Sequence, residues 1–258
     1  MLYERPVPLK GDVLKQRIFS PLAYENVRNA NVIAITAHEA QRYASHFPIA
    51  WYRHENRFEL IIVRSILADG RGHPAASQSA LPFLPALCRA YPFMYEPGSA
   101  ARNSHTRTHF IDVAVADAPT DVGSPICFPD GRPAKATAQR IALLDIAAPM
   151  FAETAQIASQ LSELALFEAW PLHFENIEGY TLDVPDLWIV KQDAISTGAL
   201  APVMRRHGIV AADLIALHRL SLFRTGIMLA NARAALRATP ATSALASEAQ
   251  GAMAEQKS

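Results

Sequence analysis

His218 and Ser221, three residues apart, are a pair in this 258-residue chain whose side chains could do chemistry together. On a helix they sit one turn apart, close enough for an imidazole to take a proton from a hydroxyl. A triad would also need a carboxylate partner and an oxyanion pocket, and the chain has no Gly-x-Ser-x-Gly turn. A histidine and a serine on a buried helix more often satisfy neighbouring backbone, and that reading is preferred. His105 and His109 have the i, i+4 spacing of a metal pair on one helix face. Their segment reads as a loop entering a strand, where such residues lie ~13 Å apart, and no nearby Cys or Glu completes a ligand set. His38, His46 and His54 recur every eight residues, but two fall in an expected helix and one in a turn. No metal site is expected, and without a Gly-x-Gly-x-x-Gly or Walker-type loop no cofactor is expected either.

Arg89 sits in the segment 81–93, which holds three prolines and three aromatic residues. Each proline fixes its own φ and keeps the residue before it out of the helical region, so the segment is stiff and should lie against a core as a wedge. A guanidinium in such a frame could meet a carboxylate or the carbonyls of a bound peptide. The structural alternative, which is favoured, ties the wedge to Asp112, Asp145 or helix-end carbonyls. Trp51, Tyr91, Phe93 and Tyr95 could line a groove for a peptide or aromatic ligand, although an aromatic core is the commoner use of such residues. The candidate binding residues are therefore Arg89, Tyr91, Phe93, Trp51, His218 and Ser221, with no catalytic residue assigned.

Composition narrows the classes. Lys plus Arg equals Asp plus Glu at 24 each, which disfavours nucleic acid or an anionic membrane surface as the main partner. The N-terminus lacks the apolar run of a signal peptide, and no stretch approaches the ~18 uninterrupted apolar residues of a spanning helix. Cys88 and Cys127 form no framework and read as buried small hydrophobes in a reduced compartment. A cytoplasmic protein is expected.

The elements that must position these residues follow from the periodicity. A short strand at 32–35 precedes a helix opened by a capping box, Thr36 with Glu39, whose inner face carries Ala40, Tyr43, Ala44 and Phe47. Strands are expected at 49–53 and 58–67, with Ile61, Ile62 and Val63 covered on both faces. Residues 68–80 read as a loop, and a polar connector runs from the wedge to about Thr106. Alternation at His109, Ile111, Val113 and Val115 predicts a further strand. From about Pro133 helices dominate, with Pro149 expected to kink or split the first. A strand pair at 170–174 and 179–182 is followed by an expected short helix over 185–193. Another helix at 199–207 closes at Gly208, and a last one opens at Asp213 and runs to about Leu236. The fold class is α+β, a mainly antiparallel sheet from the N-terminal half packed by helices of the C-terminal half. Residues 1–236 are expected to form one domain, β-rich over 20–132 and helical over 133–236, with 237–258 a disordered tail.

Several of these pieces, in order, resemble the SapC family of bacterial proteins over roughly residues 20–236. Phe47-Pro48-Ile49 with Trp51 resembles the family's Tyr-Pro-Ile-Val-Phe element. Leu84-Pro85-Ala86-Leu87-Cys88-Arg89-Ala90-Tyr91-Pro92-Phe93 resembles its Ile-Pro-Ala-x-x-Arg-Arg-Tyr-Pro-Phe element, the most specific match. Residues 123–131 resemble its Gly-x-x-Leu-Phe-x-x-x-Gly turn, and Gly179-Tyr180 and His218-x-x-Ser221-Leu222 its C-terminal end. The chain departs from the pattern in having Ala90 for a second arginine, and Ala68-Asp69-Gly70-Arg71-Gly72 near the family's Asn-Leu-Phe. The resemblance brings no established catalysis or cofactor; the apolar, rigid, aromatic-plus-arginine wedge, with no assembled catalytic set, leads to a non-catalytic accessory protein of the SapC type. The expected function is recognition of a protein or peptide partner, with the oligomeric state left open. The alternatives are an enzyme using His218, Ser221 or Arg89 on a small organic substrate, and a structural surface-layer component, which the family's name suggests.

Overall fold

Strand pairing begins where β-branched and aromatic residues concentrate. In the computed structural model, which describes residues 2–54, 57–71, 83–95 and 108–238, Ile49–His54 and Arg57–Val63 form a central hairpin with Ile49 opposite Ile62 and Trp51 opposite Leu60. The hairpin is the middle of a five-stranded antiparallel sheet in the order Val32–Ala34, Arg57–Val63, Ile49–His54, Leu187–Val190, Phe167–Ala169. Period-two alternation divides its side chains between two cores. Ile49, Trp51, Leu60 and Ile62 join Leu161, Leu214 and Ile215 on one face, while Ala50, Ile61 and Val63 join Leu172, Val184 and Met228 on the other. The expectation that residues 61–63 are covered on both faces holds.

The α+β class holds as well: every named strand pair is antiparallel, and the long helices lie in the C-terminal half. Three local expectations for the C-terminal half do not. Residues 185–193 are not a helix, because Leu187–Val190 is a strand filling the slot between Ile49–His54 and Phe167–Ala169. Its Leu-Trp-Ile-Val sequence suits a pleated, buried position better than a helix turn. Pro149 does not split its helix: Lys135–Glu163 runs through it, with Ala147, Ala148 and Ala152 buried around the missing donor. The last helix does not open at Asp213. Gly208 breaks the segment Ala201–Ser221 with φ 60 and ψ −139, a backbone that favours glycine, and helix resumes directly after it. It then continues through a tightened turn, Leu222–Arg224, into Thr225–Ala238. This run passes from the first core, at Leu214 and Ile215, to the second, at Met228 and Ala232.

A smaller sheet, Pro6–Pro8, His109–Asp112 and Phe93–Tyr95, carries a third cluster with Ile18, Phe93, Ile111 and Leu144. The strand starting at His109 stops at Asp112 and leaves Val115 exposed. The helix Lys135–Glu163 has the length and composition to cross a bilayer, with a mean hydropathy of 1.3 over its most apolar window. The expectation of no such segment counted uninterrupted apolar residues, which this helix lacks. Here its inner residues Leu144, Ala148, Ile157 and Leu161 are buried. Residues 72–82, the connector with His105, and the tail from 239 lie outside the described residues.

Candidate functional site

The wedge is seated by carboxylates. Thr36 and Glu39 form the expected capping box, and Ala40, Tyr43, Ala44 and Phe47 are buried below it. Glu39 also reaches across: its Oε1 accepts the amide of Ala86 at 2.8 Å, at the start of the wedge helix Ala86–Ala90, while Oε2 accepts the amide of Thr36 at 3.0 Å. One carboxylate thus serves two helix N-termini, where orphan amides need acceptors.

At the other end of the wedge, past the cis Tyr91–Pro92 peptide, the Tyr91 hydroxyl donates to Asp112 Oδ2 at 2.8 Å. The same carboxylate accepts the amides of Glu4 at 3.0 Å and Arg5 at 2.8 Å, anchoring the strand Pro6–Pro8. Tyr3 stacks on Tyr91 with centroids 5.6 Å apart, and Tyr24 meets it edge-on at 4.9 Å. Burial, helped by the Asp112 carboxylate, pushes the Tyr91 hydroxyl far above its ordinary range, so it stays a donor. The Cys88 thiol, fully buried beneath the wedge, is pushed up to about 12 by burial and by Glu39 against the pull of Arg64. That thiol is inert packing rather than a nucleophile.

An arginine does clamp the wedge, but it is Arg140. Its guanidinium donates to the Tyr91 carbonyl at 2.7 Å and to the Phe19 carbonyl. Arg89, expected to make that tie through Asp112, Asp145 or helix-end carbonyls, is exposed; its amide donates to the Pro85 carbonyl at 2.9 Å, and its guanidinium is not the clamp. Nothing local in the sequence separates Arg140 from other helix arginines, because its acceptors lie 49 and 121 residues away.

His218 and Ser221 are brought together, in the core. The strand Leu187–Val190 pairs with Ile49–His54 at Leu187↔Tyr52 and Trp188↔Trp51, a register that places Val190 opposite Ile49 two steps on. The imidazole of His218 occupies that rung. Its Nδ1 donates to the Ile49 carbonyl at 2.7 Å, and its Nε2 accepts the Val190 amide at 3.3 Å, which fixes the neutral Nδ1–H tautomer. Ser221 Oγ accepts the Ile49 amide at 2.8 Å and donates to the His218 carbonyl at 2.6 Å; Arg219 donates to the Val190 carbonyl at 3.2 Å. All four backbone groups of Ile49 and Val190 are satisfied by one helical turn. Trp51 packs edge-on against the His218 ring at 4.7 Å, and burial drives the imidazole from 6.5 to about 4. A ring with both nitrogens taken and a hydroxyl bonded to its own helix have no capacity left for acid–base work in this conformation.

Of the six candidate binding residues, Trp51, Tyr91, Phe93, His218 and Ser221 are fully buried, and only Arg89 faces outward. A side chain without exposed area offers a partner nothing, so those five act as core. The three evenly spaced histidines share no site: His38 faces Glu153 at 2.8 Å, His54 faces Glu59 at 3.5 Å, and His46 meets Phe83. His109 lies 3.3 Å from Asp145, which also accepts the Tyr95 hydroxyl at 2.7 Å. Among the described residues no cluster of His, Cys, Asp and Glu could hold a metal ion.

The sequence reading passed over Phe83, on the outer side of the wedge. Its ring is 52 % exposed, with His46 edge-on at 5.7 Å and the Arg42 guanidinium 5.5 Å from its centroid. The charges of Arg42 and Arg89 both act on the nearby Tyr43 hydroxyl, pulling it down against burial. The sequence signal that could have found it is an aromatic residue six positions before Arg89 in the same proline-braced segment. The exposed Phe83 ring, with Arg42 and His46 against it and exposed Arg89 in the same segment, offers an aromatic face and guanidinium groups, the chemistry that meets carboxylates and planar apolar groups.

No curated protein and no solved structure matches the chain. A family model described as SapC matches residues 15–224, which spans the capping box, the wedge, the five-stranded sheet and the inserted histidine rung. The chain belongs to the SapC family.

Proposed function

We propose that this protein is a non-catalytic accessory protein that recognises a peptide segment of a protein partner on the outer face of the wedge. The observation that carries the reading is the exposed Phe83, with His46 and Arg42 against its ring, in the same proline-braced segment as the outward-facing Arg89. Because Glu39, Asp112 and Arg140 hold the wedge at both ends, its outer face is pre-organised and little order must be lost on binding. Guanidinium groups and an aromatic ring suit a segment carrying a carboxylate and an apolar side chain.

The test is a photo-crosslinking amino acid placed at Phe83 in the native host, with the same probe at exposed Tyr180 as control. A discrete adduct formed only from Phe83, and reduced about tenfold by Arg42→Glu with Arg89→Glu, is the expected result. Identical adducts from both positions, or no adduct together with turnover of a small molecule by the purified protein, would overturn the reading. The enzyme alternative gains no observation, since His218 and Ser221 are consumed by the Ile49 and Val190 backbone.

A further inference from the structure

The helical run after Gly208 carries a stripe on its outer face that is apolar but for Asp213. Ile209, Asp213, Ala216, Leu220, Phe223 and Ile227 follow one another at steps of four, three, four, three and four, and all are exposed. Such spacing keeps a single stripe in line along a helix. The stripe survives the tightened turn because the backbone stays right-handed there, at φ −65, ψ −24 for Ser221 and φ −54, ψ −39 for Thr225. Its large members are not incidental exposures: Ile209 is 70 %, Leu220 63 %, Phe223 83 % and Ile227 50 % exposed. From Ile209 to Ile227 the stripe is ~27 Å long.

The charge on the same run is mainly positive. After Gly208 it carries four arginines, at 219, 224, 233 and 237, against the single carboxylate of Asp213, and Arg205 and Arg206 lie just before the break. Only Arg237 is ion-paired among the described residues, with Glu178 of the neighbouring hairpin at 2.7 Å, and Arg219 is turned to the Val190 carbonyl. The balanced charge of the whole chain conceals this concentration.

We infer that this helical run is a docking face for a membrane surface bearing anionic headgroups, with Leu220, Phe223 and Ile227 entering the interface and the arginines meeting the headgroups. This inference is independent of the peptide-binding reading and uses a different surface. Three points select a lipid surface over other occupants. A second copy would set one arginine-rich helix against another. A protein groove cannot enclose this helix, because its opposite side, with Leu214, Ile215, His218, Met228 and Ala232, is embedded in the protein's own core. A stripe one residue wide offers less area than a standard protein interface needs, but a basic amphipathic helix lying in the interface plane meets a flat anionic surface along its whole length.

The test is co-flotation of the full-length protein with phosphatidylcholine vesicles containing about a third phosphatidylserine, against pure phosphatidylcholine. Flotation with the anionic vesicles alone is expected, weakened at high salt. Phe223→Ser should reduce it at least tenfold, and so should Arg224→Glu with Arg233→Glu. Phe223 is largely exposed, so Phe223→Ser should melt as the parent does, which separates lost docking from lost folding. Phe223→Trp should show a blue shift of emission on adding the anionic vesicles and none with neutral ones. Phe83→Ala, which addresses the peptide surface, should float unchanged. Absence of flotation, equal flotation of Phe223→Ser, or a dimer in sedimentation that Phe223→Ser dissolves would overturn the inference, the last in favour of a second copy as occupant.

Discussion

His218 shows how one residue can look like chemistry and be architecture. Its ring stands in for a rung of the sheet, donating to Ile49 and accepting from Val190, so only the neutral ring fits. Protonation would place an N–H against the Val190 amide. Because burial lowers the folded-state value from 6.5 to about 4, the unfolded chain takes up this proton first as pH falls. The contribution is therefore fully present above 6.5 and is lost between 6.5 and about 4, amounting to about 3 kcal/mol. Urea unfolding across this range should show the loss. His218→Ala should cost about 3 kcal/mol or more at neutral pH by stranding a buried amide and carbonyl. It should also flatten the pH dependence by a matching amount. An unchanged slope in the variant would remove His218 from the account.

At the scale of elements, the wedge is fixed by side chains far away in sequence. Asp112 serves as acceptor for Tyr91, Glu4 and Arg5 at once, so it couples the wedge to the N-terminal strand. Asp112→Asn replaces one acceptor oxygen by a donor and should cost about 2 to 3 kcal/mol. Amide exchange at Glu4 and Arg5 should speed up while the central hairpin keeps its protection. Uniform loss of protection would show that Asp112 supports the whole fold and not this junction. The wedge was legible as stiff and core-facing because proline and aromatic residues act locally. Its clamp was not, since Arg140 is selected by two distant carbonyls that no spacing reveals.

For the whole molecule, the five-stranded sheet has a core on each side, and the last helical run crosses between them. Met228 and Ala232 cover the hairpin made by Leu172–Ile177 and Tyr180–Val184, which pairs with no other strand among the described residues. An isolated two-stranded hairpin is marginal in water. Ending the chain after Arg224 should therefore destabilise the protein by about 4 kcal/mol, from the apolar area uncovered. Hydrogen exchange should place the first loss of protection in that hairpin, ahead of Ile49–His54. Equal protection with and without residues 225–238 would mean that the helix does not hold it.

The sequence by itself settled what depends on near neighbours: the Thr36–Glu39 cap, the central hairpin with its two-sided alternation, the helix break at Gly208, and the α+β class with the family to which it belongs. These follow from backbone sterics and from periods of two and 3.6, which act over a few residues. Tertiary structure alone decided that Leu187–Val190 is a strand, that Pro149 lies inside an unbroken helix, and that five of six candidate binding side chains are core while Arg89 and Phe83 face outward. Those outcomes turn on which distant surface competes for each segment. A slot between two strands outweighs local helix preference, packing around Pro149 compensates for a missing donor, and a buried amide recruits whichever histidine the fold delivers to it.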